Sequence, residues 1–228
     1  MRRRAGSRAD GHRLSRRLLL AAMVFGVALG GNKSVGGADF RKKPAAAVNV
    51  TWSGVPLRRA VEGLARAQQT AIVIDRRVDP GQPLTLSLQN ATAEQVLRAV
   101  ADRCGLGVAR LGNILYLGPS SVAERLASVT AAFGRKVRGL PTAAQRTFFQ
   151  RKPLAWDDLA SPRALLAELA QQNHLEIVGL ERAPHDLWAA ANLPACSLVD
   201  RLSLIAIQFD LTFDVTDGAT IELVPCRP

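Results

Sequence analysis

Few side chains in this 228-residue sequence can do covalent or metal chemistry: Cys104, Cys196, Cys226, His12, His174, His185 and the acids beside them. Nucleophilic hydrolysis needs a thiol, a base and an orienting acid, and His185-Asp186 lies shortly before Cys196. An exported hydrolase using Cys196 and His185 is therefore the enzymatic alternative. No motif around those residues supplies an oxyanion site. No His, Cys or Asp spacing matches a zinc or calcium site, and no cofactor is expected. Gly105-Leu106-Gly107 lacks the third glycine and the strand-to-helix setting of a nucleotide loop, and reads as a helix end. Asp157-Asp158 and His174 sit where helix dipoles favour their charges. Cys104 falls on the core face of a helix, as a small hydrophobe would. Three cysteines allow one disulfide at most, and Cys196 with Cys226 is the pair whose ends could approach. What remains is polar recognition: Arg76 and Arg77 in one loop, and His185 and Trp188 in the distinctive stretch Pro184-His185-Asp186-Leu187-Trp188. This is not a catalytic set, and the expectation is a protein that is not an enzyme.

The elements that position these residues begin with residues 48–117. Leu57, Ala60, Val61, Leu64 and Ala65 recur at helical spacing behind Pro56, with Arg58, Arg59, Glu62 and Arg66 on the other face. Ala71-Ile72-Val73-Ile74 reads as a buried strand ended by a loop containing Pro80-Gly81. Leu84, Leu86 and Leu88 alternate with polar residues, the pattern of a strand with one wet face. Thr92 and Gln95 form a capping box ahead of a helix bearing Val96, Leu97 and Val100. Two further strands join at Gly112-Asn113. The order is strand, helix, strand, strand, helix, strand, strand.

A shift of 105 residues returns a weaker copy. Val61, Leu64, Ala65, Ile72, Val73, Leu97, Val100, Ala101, Leu106 and Val108 fall on Leu166, Leu169, Ala170, Ile177, Val178, Leu202, Ile205, Ala206, Leu211 and Phe213, apolar on both sides throughout. One offset serves both helices and the strand between them, which points to an internal duplication. The copy departs over residues 187–193, where an Ala-Ala-Ala centre replaces the alternation of its third strand, and its last hairpin, at Asp217-Gly218, is one residue longer. The expected fold class is α+β: tandem βαββαββ modules, two helices on small sheets, joined by a linker helix.

Residues 1–38 carry seven arginines before an apolar run at 18–29 and small residues beyond it, the pattern of a secretory signal followed by cleavage at or before Ala38. The run is shorter than the roughly 20 apolar residues of a spanning helix. The full chain carries +11, but residues 1–38 hold eight Lys/Arg against one Asp, leaving 22 against 18, or +4, for the rest. A nucleic-acid partner therefore loses its electrostatic basis. Residues 39–47 are a lead-in and 48–118 the first module. In 119–146, Ser121 and Glu124 are placed as a capping box for a linker helix with the stripe Val122, Leu126, Val129 and Phe133. Residues 147–156 are expected to be the first strand of the second module, 147–228, whose first helix opens at Ser161-Pro162.

The first module resembles the secretin and TonB short N-terminal domain. The resemblance lies in Val55-Pro56-Leu57 with its helical stripe, the strands at 71–75 and 84–89, the run Asn90-Ala91-Thr92-Ala93-Glu94-Gln95-Val96-Leu97, and the Gly105-Leu106 step into a terminal hairpin. Residues 147–224 carry it faintly. It implies a βαββαββ fold, a periplasmic or otherwise exported location and an envelope protein partner, such as an outer-membrane secretion or TonB-linked component; it brings no catalytic residues. Family members usually continue into a pore or barrel, whereas this sequence stops at Pro228, so the expectation is a stand-alone tandem. Edge strands of small sheets offer unpaired backbone groups to such a partner, with Arg76, Arg77, His185 and Trp188 as accessory contacts.

Overall fold

The computed structural model describes residues 47–226, which lie in one compact unit, and the signal-like leader lies outside them. The first module comprises β1 (Val48–Pro56), α1 (Leu57–Gln68), β2 (Ala71–Ile74), β3 (Pro83–Ala91), α2 (Ala93–Cys104), β4 (Leu106–Leu111) and β5 (Ile114–Pro119). Leu57, Ala60, Val61 and Leu64 give α1 one buried face. At α2 the Thr92 hydroxyl accepts from the Gln95 amide while the Gln95 side chain accepts from the Thr92 amide, so both donors of the capping box are satisfied. Gly105 ends α2 at φ 67°, a left-handed position that suits a residue without a Cβ. β1 pairs antiparallel with β3, and β5 lies between parallel β2 and antiparallel β4. Leu115 and Leu117 meet Leu97 and Val100 in the core. Full burial of each such side chain contributes roughly 1.5–3 kcal/mol.

After α3 (Ser120–Arg138) and α4 (Thr142–Phe149), the second module follows: β6 (Lys152–Trp156), α5 (Pro162–Gln172), β7 (Glu176–Val178), β8 (Ala191–Cys196), α6 (Leu198–Ala206), β9 (Leu211–Val215) and β10 (Thr220–Pro225). Its topology repeats the first: β6 pairs with β8, and β10 lies between parallel β7 and antiparallel β9. The fold is α+β, two βαββαββ modules with α3 and α4 between them. Ser197 and Asp200 rebuild the capping box at the position of Thr92 and Gln95.

Several local expectations are corrected. The Ser121–Glu124 capping box does not form, because α3 starts at Ser120 directly after Pro119 and Ser121 is already inside its first turn. Residues 142–149 are helical, so the second module's first strand begins only at Lys152. The cause is tertiary: Phe148 is buried edge-on against Phe133 of α3, with ring centroids 6.0 Å apart. The third strand of the second module lies at Ala191–Cys196, beyond the expected 187–193, and Leu187 is exposed. Ser161 occupies the N-cap of α5 without a side-chain cap bond, and Cys104 is half-buried at the end of α2.

The linker helix packs between the modules. Its buried stripe, Val122, Leu126, Phe133 and Val137, joins a core that includes Val73, Ile114 and Tyr116 of the first sheet and Leu202, Phe213 and Leu223 of the second module. The first three-stranded sheet is therefore covered on both faces. Leu115 and Leu117 face α1 and α2, whereas Ile114 and Tyr116 face the linker side, which is why 114–117 reads as an unbroken apolar run.

Candidate functional site

Two of the sequence-selected side chains, Arg76 and Arg77, stand directly after β2, and the fold turns them toward the second module. The Arg77 guanidinium donates from Nε and Nη2 to the two carboxylate oxygens of Asp75, each at 2.8 Å. It also donates from Nη1 to Asp210 at 3.0 Å, across the module boundary. Asp75 is fully buried and additionally accepts the Tyr116 hydroxyl. The Asp75 bond is the largest of the effects holding Arg77 above its ordinary pKa, and burial is the largest of those raising Tyr116, followed by the Asp75 charge. Arg125 of α3 meets Asp210 from the other side at 3.2 Å, so one carboxylate ties the second module to both the first module and the linker.

Arg76 bridges the same boundary. Its Nε donates to Asp186 at 2.6 Å, its amide donates to Gln208 at 3.0 Å, and its guanidinium lies 5.0 Å from the centroid of the Phe209 ring. Phe209 stacks on Trp188 at 5.9 Å, and Trp188 leans on Trp156 at 5.8 Å. Burial raises the Asp186 pKa, but bonds from Arg76, from the Trp188 indole and from the Leu187 amide outweigh it, and the net direction is down. Arg76, Arg77 and Trp188 thus form a joint between modules, with Trp188 buried in it, in place of an open recognition face. His185 is exposed beside them.

The hydrolase alternative loses its chemistry here. Asp186 serves Arg76 and Trp188 and does not orient a base. Cys196 ends β8, buried, and burial pushes its thiol up to about 11, so little thiolate exists at neutral pH. All three cysteines are free thiols, so the Cys196–Cys226 bond does not form. Among the described residues no group of three His, Cys, Asp or Glu could hold a metal ion, and no helix is long and apolar enough to cross a membrane.

Two features face outward. β4 is a terminal strand of its sheet, and a groove of about 420 Å³ runs beside it, lined by Leu106, Gly107 and Val108 and by Arg98 and Asp102 of α2 and Glu124 of α3. The second is a cavity of about 190 Å³ between β6 and α5, lined by Leu154, Leu165, Glu168, Leu169, Gln172 and Arg201. Arg201 is 1% exposed, and its Nε and Nη2 have no hydrogen-bond partner. Burial is the largest effect on this guanidinium and disfavours its charge, Asp200 offsets it only in part, and taking such a group out of water without a bonded counter-ion costs several kcal/mol. The sequence reading passed over this residue. The signal was in the repeat comparison, where the 105-residue shift sets Arg201 opposite Val96, a fully buried apolar residue of α2.

No family model matches the chain, and no curated protein matches it. Two crystal structures of a candidate anti-sigma factor from Parabacteroides distasonis ATCC 8503, at 1.65 and 2.50 Å resolution, are similar to part of it. Each covers 31% of this chain at 20% identity, with TM-scores of 0.29 and 0.30. The chain spans about a third of their length, 34% and 33%, and a likeness so slight carries no argument about activity.

Proposed function

We propose that this protein is a non-enzymatic docking module of the cell envelope, exported by its leader, in which two domains of the secretin and TonB short N-terminal type act as one body. The observation that carries the reading is the duplicated topology, in which each three-stranded sheet ends on strands paired along one side only. Such an edge offers backbone donors and acceptors to an extended partner segment. β4 is the edge with a groove beside it, and Arg98, Asp102 and Glu124 supply charges of both signs for side-chain selection. Arg76 and Arg77 serve this function by fixing one module against the other, so that the partner meets a single surface. The rival hydrolase reading has no supporting geometry, since Cys196 is buried and Asp186 is engaged elsewhere.

Site-specific photo-crosslinking in the producing cell tests the proposal. A benzophenone side chain at Asp102, beside the β4 groove, is expected to capture an envelope protein, and one at Arg59, on the exposed face of α1, is not. Equal capture at both sites, no capture at either, or a chain found wholly in the cytoplasm would refute it.

A further inference from the structure

We propose that the second module binds a carboxylate on a short apolar stem in the cavity lined by Arg201. Arg201 is buried to 99% with two guanidinium nitrogens, Nε and Nη2, unpartnered, and the acids near it make their hydrogen bonds elsewhere. Asp200 accepts the Ser197 amide and hydroxyl in the α6 capping box, and Glu168 accepts the Gln172 side chain on its own helix at 2.8 Å. The cavity, about 190 Å³, far exceeds the roughly 10–15 Å³ needed by one water. Water would satisfy the donors but would leave the charge without a bonded counter-ion, Asp200 acting on it only through space, whereas a carboxylate does both through the guanidinium fork. Leu154, Leu165 and Leu169 give the stem an apolar wall. A doubly charged phosphate is disfavoured, because Glu168 lies in the lining opposite a single cation.

Comparison within the chain separates binding from folding. The first module closes the equivalent position with Val96, fully buried, so the fold itself does not require an arginine there. An arginine in that place adds a cost to the second module that occupancy removes. The carboxylate can come from a free short-chain acid or from a protein segment, by its C-terminus or an acidic side chain. The inference stands independently of the docking reading.

The test is calorimetric titration of the full chain with sodium butanoate, with butanamide and inorganic phosphate as controls, and with an N-acetylated tetrapeptide as free acid and as C-terminal amide. Arginine Nε–H resonances are followed in parallel. Butanoate or the free-acid peptide is expected to bind saturably with Kd in the range of roughly 0.1–10 mM and to shift one arginine resonance, whereas the amides do not. Binding of butanoate identifies a site for free acids, and binding of the peptide acid alone identifies a protein source. Arg201→Val, which installs the first module's residue, should weaken binding at least ~10-fold without lowering the melting temperature. Arg201→Lys, keeping the charge without the fork, should fall between. Glu168→Gln should tighten binding by removing a like charge. The proposal is overturned if neither acid saturates, if amides bind as well, if Glu168→Gln weakens binding, or if Arg201→Val melts lower than the parent.

Discussion

Replacing Arg77 by Met keeps most of its apolar volume and removes three charged contacts at once, two to Asp75 and one to Asp210. The Asp210 contact is a minor part, since that carboxylate is 55% exposed and exposed pairs contribute about 0–1 kcal/mol. Asp75 is different. Its side chain is 0% exposed, and after the substitution it retains only the Tyr116 hydroxyl and the backbone amide of residue 77. Breaking a buried pair from one side costs about 3–5 kcal/mol. The expected loss at pH 7 is therefore about 3–5 kcal/mol.

Adding Asp75→Asn removes the stranded charge, and the double variant should recover about 2 kcal/mol of the single variant's loss. Urea denaturation followed by circular dichroism at pH 7 measures both. A single-variant loss below about 1 kcal/mol, or a double variant no more stable than the single, would refute the view that Asp75 and Arg77 form a buried, mutually dependent pair.

Three further outcomes follow from the geometry. Cys196 should react with an aromatic disulfide reagent at pH 8 far more slowly in the native chain than in urea, because burial holds its thiol protonated; equal rates would refute its placement. The Arg76–Asp186 bridge should add acid sensitivity: with the Asp186 pKa depressed in the fold, its contribution is present above the unfolded value near 3.9 and is lost as pH falls through the folded one, and Asp186→Asn should flatten the melting profile below about pH 4. A fragment of residues 47–119 should melt lower than one of residues 47–140, because α3 covers the sheet face that carries Ile114 and Tyr116; equal melting temperatures would show that the first module closes without the linker.

Where each element's own sequence carried its signal, the fold was legible. Leu57, Ala60, Val61 and Leu64 mark the face of α1, Thr92 and Gln95 mark the start of α2, and the longer hairpin at Asp217-Gly218 appears where the 105-residue shift becomes 106. Legibility failed where the deciding partner is distant. α4 has only Phe148 buried, and its helix rests on a ring contributed by Phe133 of α3. Arg76 and Arg77 read as loop residues open to a partner until Asp186 and Asp210, more than 100 residues away, are brought to them. Trp188 gives no sign in sequence of the Phe209 ring stacked on it. Arg201 escapes a search for matching apolar pairs across the repeat, because it is the position where charge replaces the buried Val96.

The two modules share a topology but not a way of closing their cores, and that difference bears on where a ligand can act. In the first module, α1 and α2 with Leu115 and Leu117 make a core of their own, and among the described residues its helices hold no buried side-chain polar atom without a partner. In the second, the helices have no separate core: their packing continues through α3 to the back of the first sheet. A module held from outside tolerates a local cost that an independently closed one would not, and the cost is found there, at Arg201. An anion that neutralises this guanidinium would tighten α5 and α6 against β6, and α6 packs on α3 beside the joint at Asp210. Occupancy of the cavity is thereby coupled to the contacts that hold the modules in register. The Arg77–Asp210 contact is the place to look for that coupling: Arg77→Met should reduce ligand-induced stabilisation of the first module while leaving the Arg201 site itself intact.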